Sequence, residues 1–353
     1  MSQAEAMSTK NEQLQKARLL ESIERECGDT FMRALHDDDV FEIALNPDGK
    51  LWTEKAGKGW EFTGTYLDGN AASSMLKTCA SMLHTNITYD NPILEGEFPI
   101  DQSRLQALIP PVVTAPAFAL RKKAIKVFRL DEYVSAGIIR PLTQEYLQKV
   151  VRRHAVEDEE GAAHPVDAIR QAIATQKNIL VVGGTGSGKT TLANAILAEF
   201  PTICPRDRVI TIEDTRELQI KVDNIVSLRT SESVSMQRLL RATMRLKPNR
   251  IIVGEVRGGE ALALLKSWNT GHPGGVATLH ADSAYEGLIR LEQLIEENPD
   301  IKANPQVIAT AVKLVIFIEP IDEAPGRLVT QIAEVLGHEN GRYQLKSIGA
   351  FAT

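Results

Sequence analysis

Ile179-Leu-Val-Val-Gly183-Gly-Thr-Gly-Ser-Gly188-Lys189-Thr190-Thr191 is an apolar run, a glycine-rich loop and the first turn of the helical pattern that continues to Ala198. The loop satisfies G-x-x-x-x-G-K-[ST], and a strand before it with a helix after it is the context in which that pattern carries chemistry. Glycines at 183, 184, 186 and 188 let the chain curl, so that the backbone N–H groups of Gly183, Gly184, Thr185, Gly186, Ser187 and Gly188 can converge on a β-phosphate. The N-terminus of the following helix adds positive potential. Lys189 can then reach the β- and γ-phosphates, Thr191 extends the helix start, and the Thr190 hydroxyl is suited to Mg²⁺.

Outward from this loop the chain alternates. Strand-like Val209–Ile212 and Ile225–Leu228 are followed by a helix at 236–246, the strand Arg250–Val253, a helix at Glu260–Trp268 and the strand Gly275–Leu279. Upstream, helices are expected at Gln144–Arg153 and Val166–Thr175, separated by the acidic Glu157-Asp-Glu-Glu160. Val312–Ile318, Leu328–Val335 and Tyr343–Ile348 read as late strands. The fold class is α/β, with a mostly parallel sheet covered on both sides.

A nucleotide hydrolase needs carboxylates at the ends of strands beside the phosphate loop, to hold a metal's water shell and orient the attacking water. Arg250-Ile-Ile-Val-Gly-Glu255 ends a strand in one, and Val209-Ile-Thr-Ile-Glu213-Asp214 ends another in two. His280, after Val276-Ala-Thr-Leu279, falls at the end of a further strand and hence at the same crevice, whereas His272 precedes Pro273-Gly-Gly in the loop before it. Pro273 and the glycines break any shared helix between the two, which argues against a metal pair. Arg216, Arg229, Arg238, Arg241, Arg245, Arg250 and Arg257 gather in the same part of the chain, and spacing does not choose among them.

The first half has a different texture. A helical spacing over 15–35 leads into strands at Phe41–Leu45, Leu51–Glu54 and Trp60–Thr63, a helix over 70–84, then strands at Arg104–Ile109, Ala117–Arg121 and Ile125–Leu130. This divides the chain into a flexible tail at 1–16, a small α+β domain at 17–130, a linker at 131–140 and the phosphate-loop domain at 141–353. With 353 residues, each domain is long enough for its own core. Apolar residues at 43% and charged ones at 24% exclude wholesale disorder. Forty Lys+Arg against 46 Asp+Glu give a net charge of −6, which argues against a dedicated nucleic-acid binder. Cys27, Cys79 and Cys204 are too scattered for a zinc knuckle or a disulfide framework and read as reduced thiols of a cytosolic protein. The opening twenty residues lack the apolar stretch of a secretion signal, and no apolar run is long enough to cross a bilayer.

Four boxes in one order carry a resemblance: the loop Gly183–Thr190, the acidic box Ile212-Glu-Asp-Thr-Arg-Glu-Leu218, the strand Ile251-Ile-Val-Gly-Glu-Val-Arg257 and the histidine box Thr270–His280. Together they resemble the RecA-like ATPases of type II and type IV secretion and type IV pili, most closely the conjugal-transfer ATPases of the TrbB type. The resemblance implies a RecA-like motor preceded by a PAS-like α+β domain, ATP and Mg²⁺ as cofactors, and a homohexamer. It implies a place in the cytoplasm or peripherally at the inner membrane, with the inner-membrane components of a type IV secretion system and its coupling ATPase as partners. Sequence-specific nucleic-acid binding is not expected. In this frame Lys189 and Thr190 hold phosphate and Mg²⁺, Glu255 orients the attacking water, Glu213 lies near metal and water, and His280 senses the γ-phosphate. Arg104 and Arg121 match the N-domain arginines that reach over the nucleotide. Two departures stand out: Asn249 replaces the usual Asp before the strand, touching an interface contact rather than the chemistry, and the acidic box has a single Asp, so that Glu213 must supply its second carboxylate. Three scattered cysteines cannot build the tetracysteine module usual in the type II and pilus-assembly branch. A pilus-retraction or type II ATPase, a RecA-like nucleic-acid translocase and a scaffold that binds nucleotide without turnover are the rival readings.

Overall fold

The computed structural model describes residues 3–55, 58–123, 127–141, 164–231 and 233–348, with side chains from residue 13 onward. The chain divides into two compact units, Met1–Ile125 and Lys126–Thr353.

The first unit opens with α1 (Gln3–His36), a pair of helical segments joined at Gly28, whose φ of 76° breaks the helical path. Residues 3–16, expected as a tail, are its first turns. Ile23, Cys27, Phe31 and Leu35 recur every four residues and are all buried. Strands β1 (Val40–Leu45), β2 (Lys50–Lys55) and β3 (Gly59–Tyr66) form a meander, followed by α2 (Gly69–Met82), whose first N–H groups are capped by the Asp68 carboxylate. Then come β4 (Ile93–Glu97), β5 (Arg104–Leu108) and β6 (Ala117–Arg121). The antiparallel sheet has the order β3-β2-β1-β6-β5-β4. Its inward residues, among them Ile43, Leu51, Leu94, Leu105 and Leu120, share one core with both helices. Phe31 is the hub, meeting Phe98 and Phe118 edge-on at 5.6 and 5.9 Å.

Burial also decides the chemistry of this unit's thiols. It pushes Cys27 far up and, with a smaller contribution from nearby Glu26, raises Cys79 to about 12. Both therefore stay protonated and shielded at neutral pH. In native protein at pH 8, neither should react with iodoacetamide on a timescale of minutes, and both should react once urea unfolds the chain. Rapid native alkylation, read by intact-mass spectrometry, would contradict this packing.

The second unit begins earlier than expected. Residues 127–129 form no strand, and the stretch expected as a linker carries α3 (Leu130–Ser135). Leu130, Tyr133 and Ile139 are buried in this unit's core, and Val329 N–H donates to the Ile138 carbonyl. Three large apolar side chains with a core to enter are fold, not linker. The helix expected at 144–153 and the acidic run 157–160 lie outside the described residues.

Next come α4 (Pro165–Ala174), β7 (Ile179–Gly183), α5 (Lys189–Leu197), the short α6 (Phe200–Ile203), β8 (Val209–Glu213), β9 (Ile225–Arg229), α7 (Met236–Thr243) and β10 (Arg250–Val253). The chain finishes with α8 (Glu260–Asn269), β11 (Val276–His280), α9 (Ala284–Glu296), α10 (Pro305–Ala311), β12 (Leu314–Pro320), β13 (Arg327–Glu339) and β14 (Arg342–Ser347). The sheet order is β14-β13-β12-β7-β11-β10-β8-β9. Strands β12 through β9 in that order are parallel, and β13 and β14 add an antiparallel edge. Successive residues of β7 enter opposite cores, Leu180 and Val182 on one face and Ile179 and Val181 on the other. Burial on both faces is why the strand reads as an unbroken apolar run.

Candidate active site

The C-terminal ends of β7, β8, β10, β11 and β12 share one edge of the sheet, where open parallel sheets collect their chemistry. At its centre, β7 passes into the loop 184–188 and α5 begins at Lys189. The glycines answer measurable constraints. A Cβ on Gly183 would lie 2.2 Å from the Ile318 carbonyl oxygen and 2.6 Å from Ser187 Oγ, while Gly186 and Gly188 hold φ of 71° and 95°. Thr185 and Gly186 are exposed, Gly184, Thr190 and Thr191 are half-buried, and Ser187 is buried with no partner for its hydroxyl. A concave loop of positive-φ glycines with an orphaned buried hydroxyl fits a phosphate group.

Lys189 links this loop to the neighbouring strands. Its side chain is buried, and its Nζ donates to the Gly184 carbonyl at 2.7 Å and to His280 Nδ1 at 3.3 Å. An ammonium only donates, so His280 Nδ1 accepts and the ring proton sits on Nε2. That Nε2–H meets Glu255 Oε1 at 2.9 Å. The second carboxylate oxygen of Glu255 accepts from Arg257, from Nε at 2.7 Å and from Nη2 as well. Arg257 also approaches Asp214 at 3.5 Å, and the Thr230 hydroxyl donates to the other oxygen of Asp214 at 2.8 Å. Burial pulls the Arg257 pKa down, but Glu255, Asp214 and Glu217 together carry it above its usual value. The result is a continuous polar chain from the phosphate loop across three strand ends.

Register explains the geometry. His280 pairs with Gly183 across β11 and β7, which sets the last residue of one strand beside the start of the loop. Glu255 follows β10 by two residues, and the Gly254 carbonyl accepts from the Thr278 hydroxyl at 2.6 Å, fixing the turn.

Glu213 occupies a different setting. It is buried, its Oε1 accepts from the backbone N–H groups of Glu217 and Leu218 at 2.9 and 2.8 Å, and it lies against Gly254. In this arrangement it folds the acidic box back against β10. His272 is at the opposite end of β11, with Nδ1 2.7 Å from the Pro248 carbonyl. Arg250 is also remote from the crevice, at the first residue of β10, while Arg238, Arg241 and Arg245 are exposed around α7. Asn249 accepts from Arg208 N–H at 2.8 Å within the same chain. In the first unit, Arg104 and Arg121 face each other across β5 and β6, and Arg121 Nε donates to Glu42 at 2.5 Å. Arg257 is one of the seven arginines among which spacing does not choose. The E-x-R spacing was its available signal, since both side chains leave the same strand end. Thr230 carried no signal of its own.

A parallel sheet with a phosphate loop on its central strand and an acid on a neighbouring strand end defines the RecA-like phosphate-loop class. The type II/IV secretion system protein family matches residues 135–320, and the chain belongs to that family. It is 43% identical over 330 residues to the probable conjugal transfer protein TrbB of Sinorhizobium fredii (strain NBRC 101917 / NGR234), covering 94% of each chain. To the type IV secretion system protein VirB11 of Bartonella henselae it is 33% identical over 284 residues, 75% of this chain and 78% of the relative. Two solved structures share the fold. The Legionella pneumophila ATPase DotB has a TM-score of 0.59 at 19% identity, covering 88% of this chain and 80% of that one. The pilus retraction motor PilT with bound ADP has a TM-score of 0.58 at 18% identity, covering 88% and 82%. Among the described residues no helix is long and apolar enough to cross a membrane.

Proposed function

We propose that this chain is a Mg²⁺-dependent ATPase that powers conjugal transfer through a type IV secretion system, working as a homohexamer on the cytoplasmic side of the inner membrane. The observation that carries the reading is the hydrogen-bonded path from Lys189 through His280 to Glu255. It couples the residue suited to a terminal phosphate with the acid suited to orient water.

In this reading the backbone N–H groups of the loop and the Lys189 ammonium hold the β- and γ-phosphates, replacing the Gly184 carbonyl that Lys189 now contacts. Once Lys189 turns to phosphate, His280 loses a donor and can itself face the terminal phosphate. Glu255 is then left with Arg257 as its fixed partner and one oxygen available to a water. Glu213 and Asp214 shape the acidic box behind it. The Thr190 hydroxyl, with Glu255 and Glu213 acting through water, is a set of hard oxygen donors of the kind Mg²⁺ takes alongside phosphates. Held by these donors, Mg²⁺ would supply charge neutralisation for the nucleotide's phosphate groups. Inner-membrane components of the secretion system and its coupling ATPase are the expected partners.

The test is steady-state phosphate release by purified protein with ATP, with and without Mg²⁺, beside sedimentation velocity in both conditions. Metal-dependent release by a six-subunit species is the expected result. Binding without release would instead favour a nucleotide-operated scaffold, and release that rises severalfold with DNA would favour a nucleic-acid translocase.

A further inference from the structure

The hairpin between β12 and β13 brings a side chain to the phosphate loop that no box of the sequence contains. Arg327 opens β13 opposite Pro320, the last residue of β12. The turn between them is closed by Ile321 N–H donating to Gly326 at 3.1 Å and Gly326 N–H donating to Glu323 at 2.7 Å. Because β12 is the parallel neighbour of β7, this hairpin rises at the same sheet edge as the loop. The contact is direct. A Cβ built on Gly188 would lie 2.6 Å from Arg327 Nη1, 3.4 Å from its Cδ and 3.6 Å from its Cζ.

Gly188 is the residue that caps α5, in the left-handed region at φ 95°. Glycine stands in such loops so that a ligand can approach the backbone from the side where a Cβ would project. In this protein the Arg327 guanidinium lies on that side. Arg327 is half-buried, and among the described residues no hydrogen bond or ion pair engages its guanidinium. Tyr133 is close enough to feel its charge, but burial keeps that hydroxyl protonated, so it is no counter-ion. A partly desolvated guanidinium without an acceptor is unfavourable, and its planar fork matches phosphate oxygens bidentately.

We propose that Arg327 is a phosphate ligand of the nucleotide, supplied from within the same chain by the β12–β13 hairpin, and that it engages the β-phosphate. This rests on the reading of 183–190 as the nucleotide site. It makes the hairpin a part of the motor that feels whether the bound nucleotide carries a β-phosphate. Loss of one charge-assisted contact of this kind corresponds to about 10- to 100-fold in affinity.

The experiment is titration of the full-length chain with a fluorescent N-methylanthraniloyl ADP and with the corresponding AMP, for wild type, Arg327→Gln and Arg327→Lys. Thermal melting of each without nucleotide reports on the fold. The expected result is ADP analogue binding weakened about 10- to 100-fold in Arg327→Gln, a smaller loss for AMP, and partial recovery in Arg327→Lys. Unchanged or tighter ADP binding in Arg327→Gln overturns the proposal, and so does an equal loss for both nucleotides. If wild type itself binds neither, the nucleotide site reading falls and this proposal with it.

Discussion

Glu255→Gln should bind ATP about as well as the wild type while its turnover falls by about 100- to 10,000-fold, the range spanned by a positioned acid–base group. The geometry makes this substitution cleaner than most. Glu255 is held from both sides, by His280 at 2.9 Å and by Arg257 at 2.7 Å, so the glutamine can stay in place with its carbonyl oxygen toward Arg257. What it loses is the charge that orients and deprotonates a water. Its amide nitrogen would face His280 Nε2, which must then accept, and the ring proton would move to the side of Lys189. A neutral His280 cannot donate toward the Lys189 ammonium without conflict, so that contact should loosen. The binding measurement and the rate measurement therefore have to be made on the same preparation. A Glu255→Gln protein that turns over at more than a tenth of the wild-type rate would remove Glu255 from the chemistry. Lys189→Ala is the matched contrast, since it should fail at binding rather than at turnover.

How much of this was legible in the sequence depended on whether the cause of a feature was local. The strand–loop–helix around Gly183–Lys189 reads directly because the chain itself carries the reasons: burial on both faces of β7 and glycines where a Cβ would collide. The strand-end positions of Glu255 and His280 follow from the same alternation. Other elements were missed. Strand β4 reads as Ile-Leu-Glu-Gly-Glu, with one buried side chain and a place at the sheet edge, so its pattern is weak. Helix α9 did have a signal, Ser283 three residues before Glu286, and the Ser283 hydroxyl indeed accepts from Glu286 N–H at 3.1 Å. A strand over 125–130 was expected from its apolar residues, but Leu130 instead begins α3, drawn by a core that only the folded second unit provides. Arg327 was invisible for the opposite reason. It lies far along the chain from the loop it touches, and only the strand order β12-β7 brings the two together.

Arg250 shows how a plausible sequence reading can point to the wrong end of a strand, and it carries the largest stability effect expected here. One of seven arginines near the acidic boxes, it is nonetheless buried at 2% exposure in the first position of β10. The crevice lies about 10 Å away along the strand. Its Nε donates to Asp207 at 2.5 Å, its Nη1 to the Gly274 carbonyl at 3.2 Å and its Nη2 to the Ile173 carbonyl at 3.0 Å. The guanidinium also stacks 5.1 Å from the Phe200 ring centroid. One side chain thus ties together α4, the turn before β8 and the loop before β11, and Gly274 is a glycine because a Cβ there would stand 2.6 Å from Nη1. Truncation to alanine leaves two carbonyls and the Asp207 carboxylate without their donor, and removes a large packed volume. Breaking a buried charge network in this way costs about 3–5 kcal/mol. For a unit of this size, that corresponds to a fall in melting temperature on the order of 10 °C. Asp207→Asn should cost less, because the Asp207 side chain keeps 20% exposure and its amide oxygen can still accept. Nucleotide affinity per folded molecule should be unchanged in both variants, since neither touches the loop. A loss below about 0.5 kcal/mol in Arg250→Ala, the range of ordinary surface substitutions, would mean that the network is not what holds this end of the sheet.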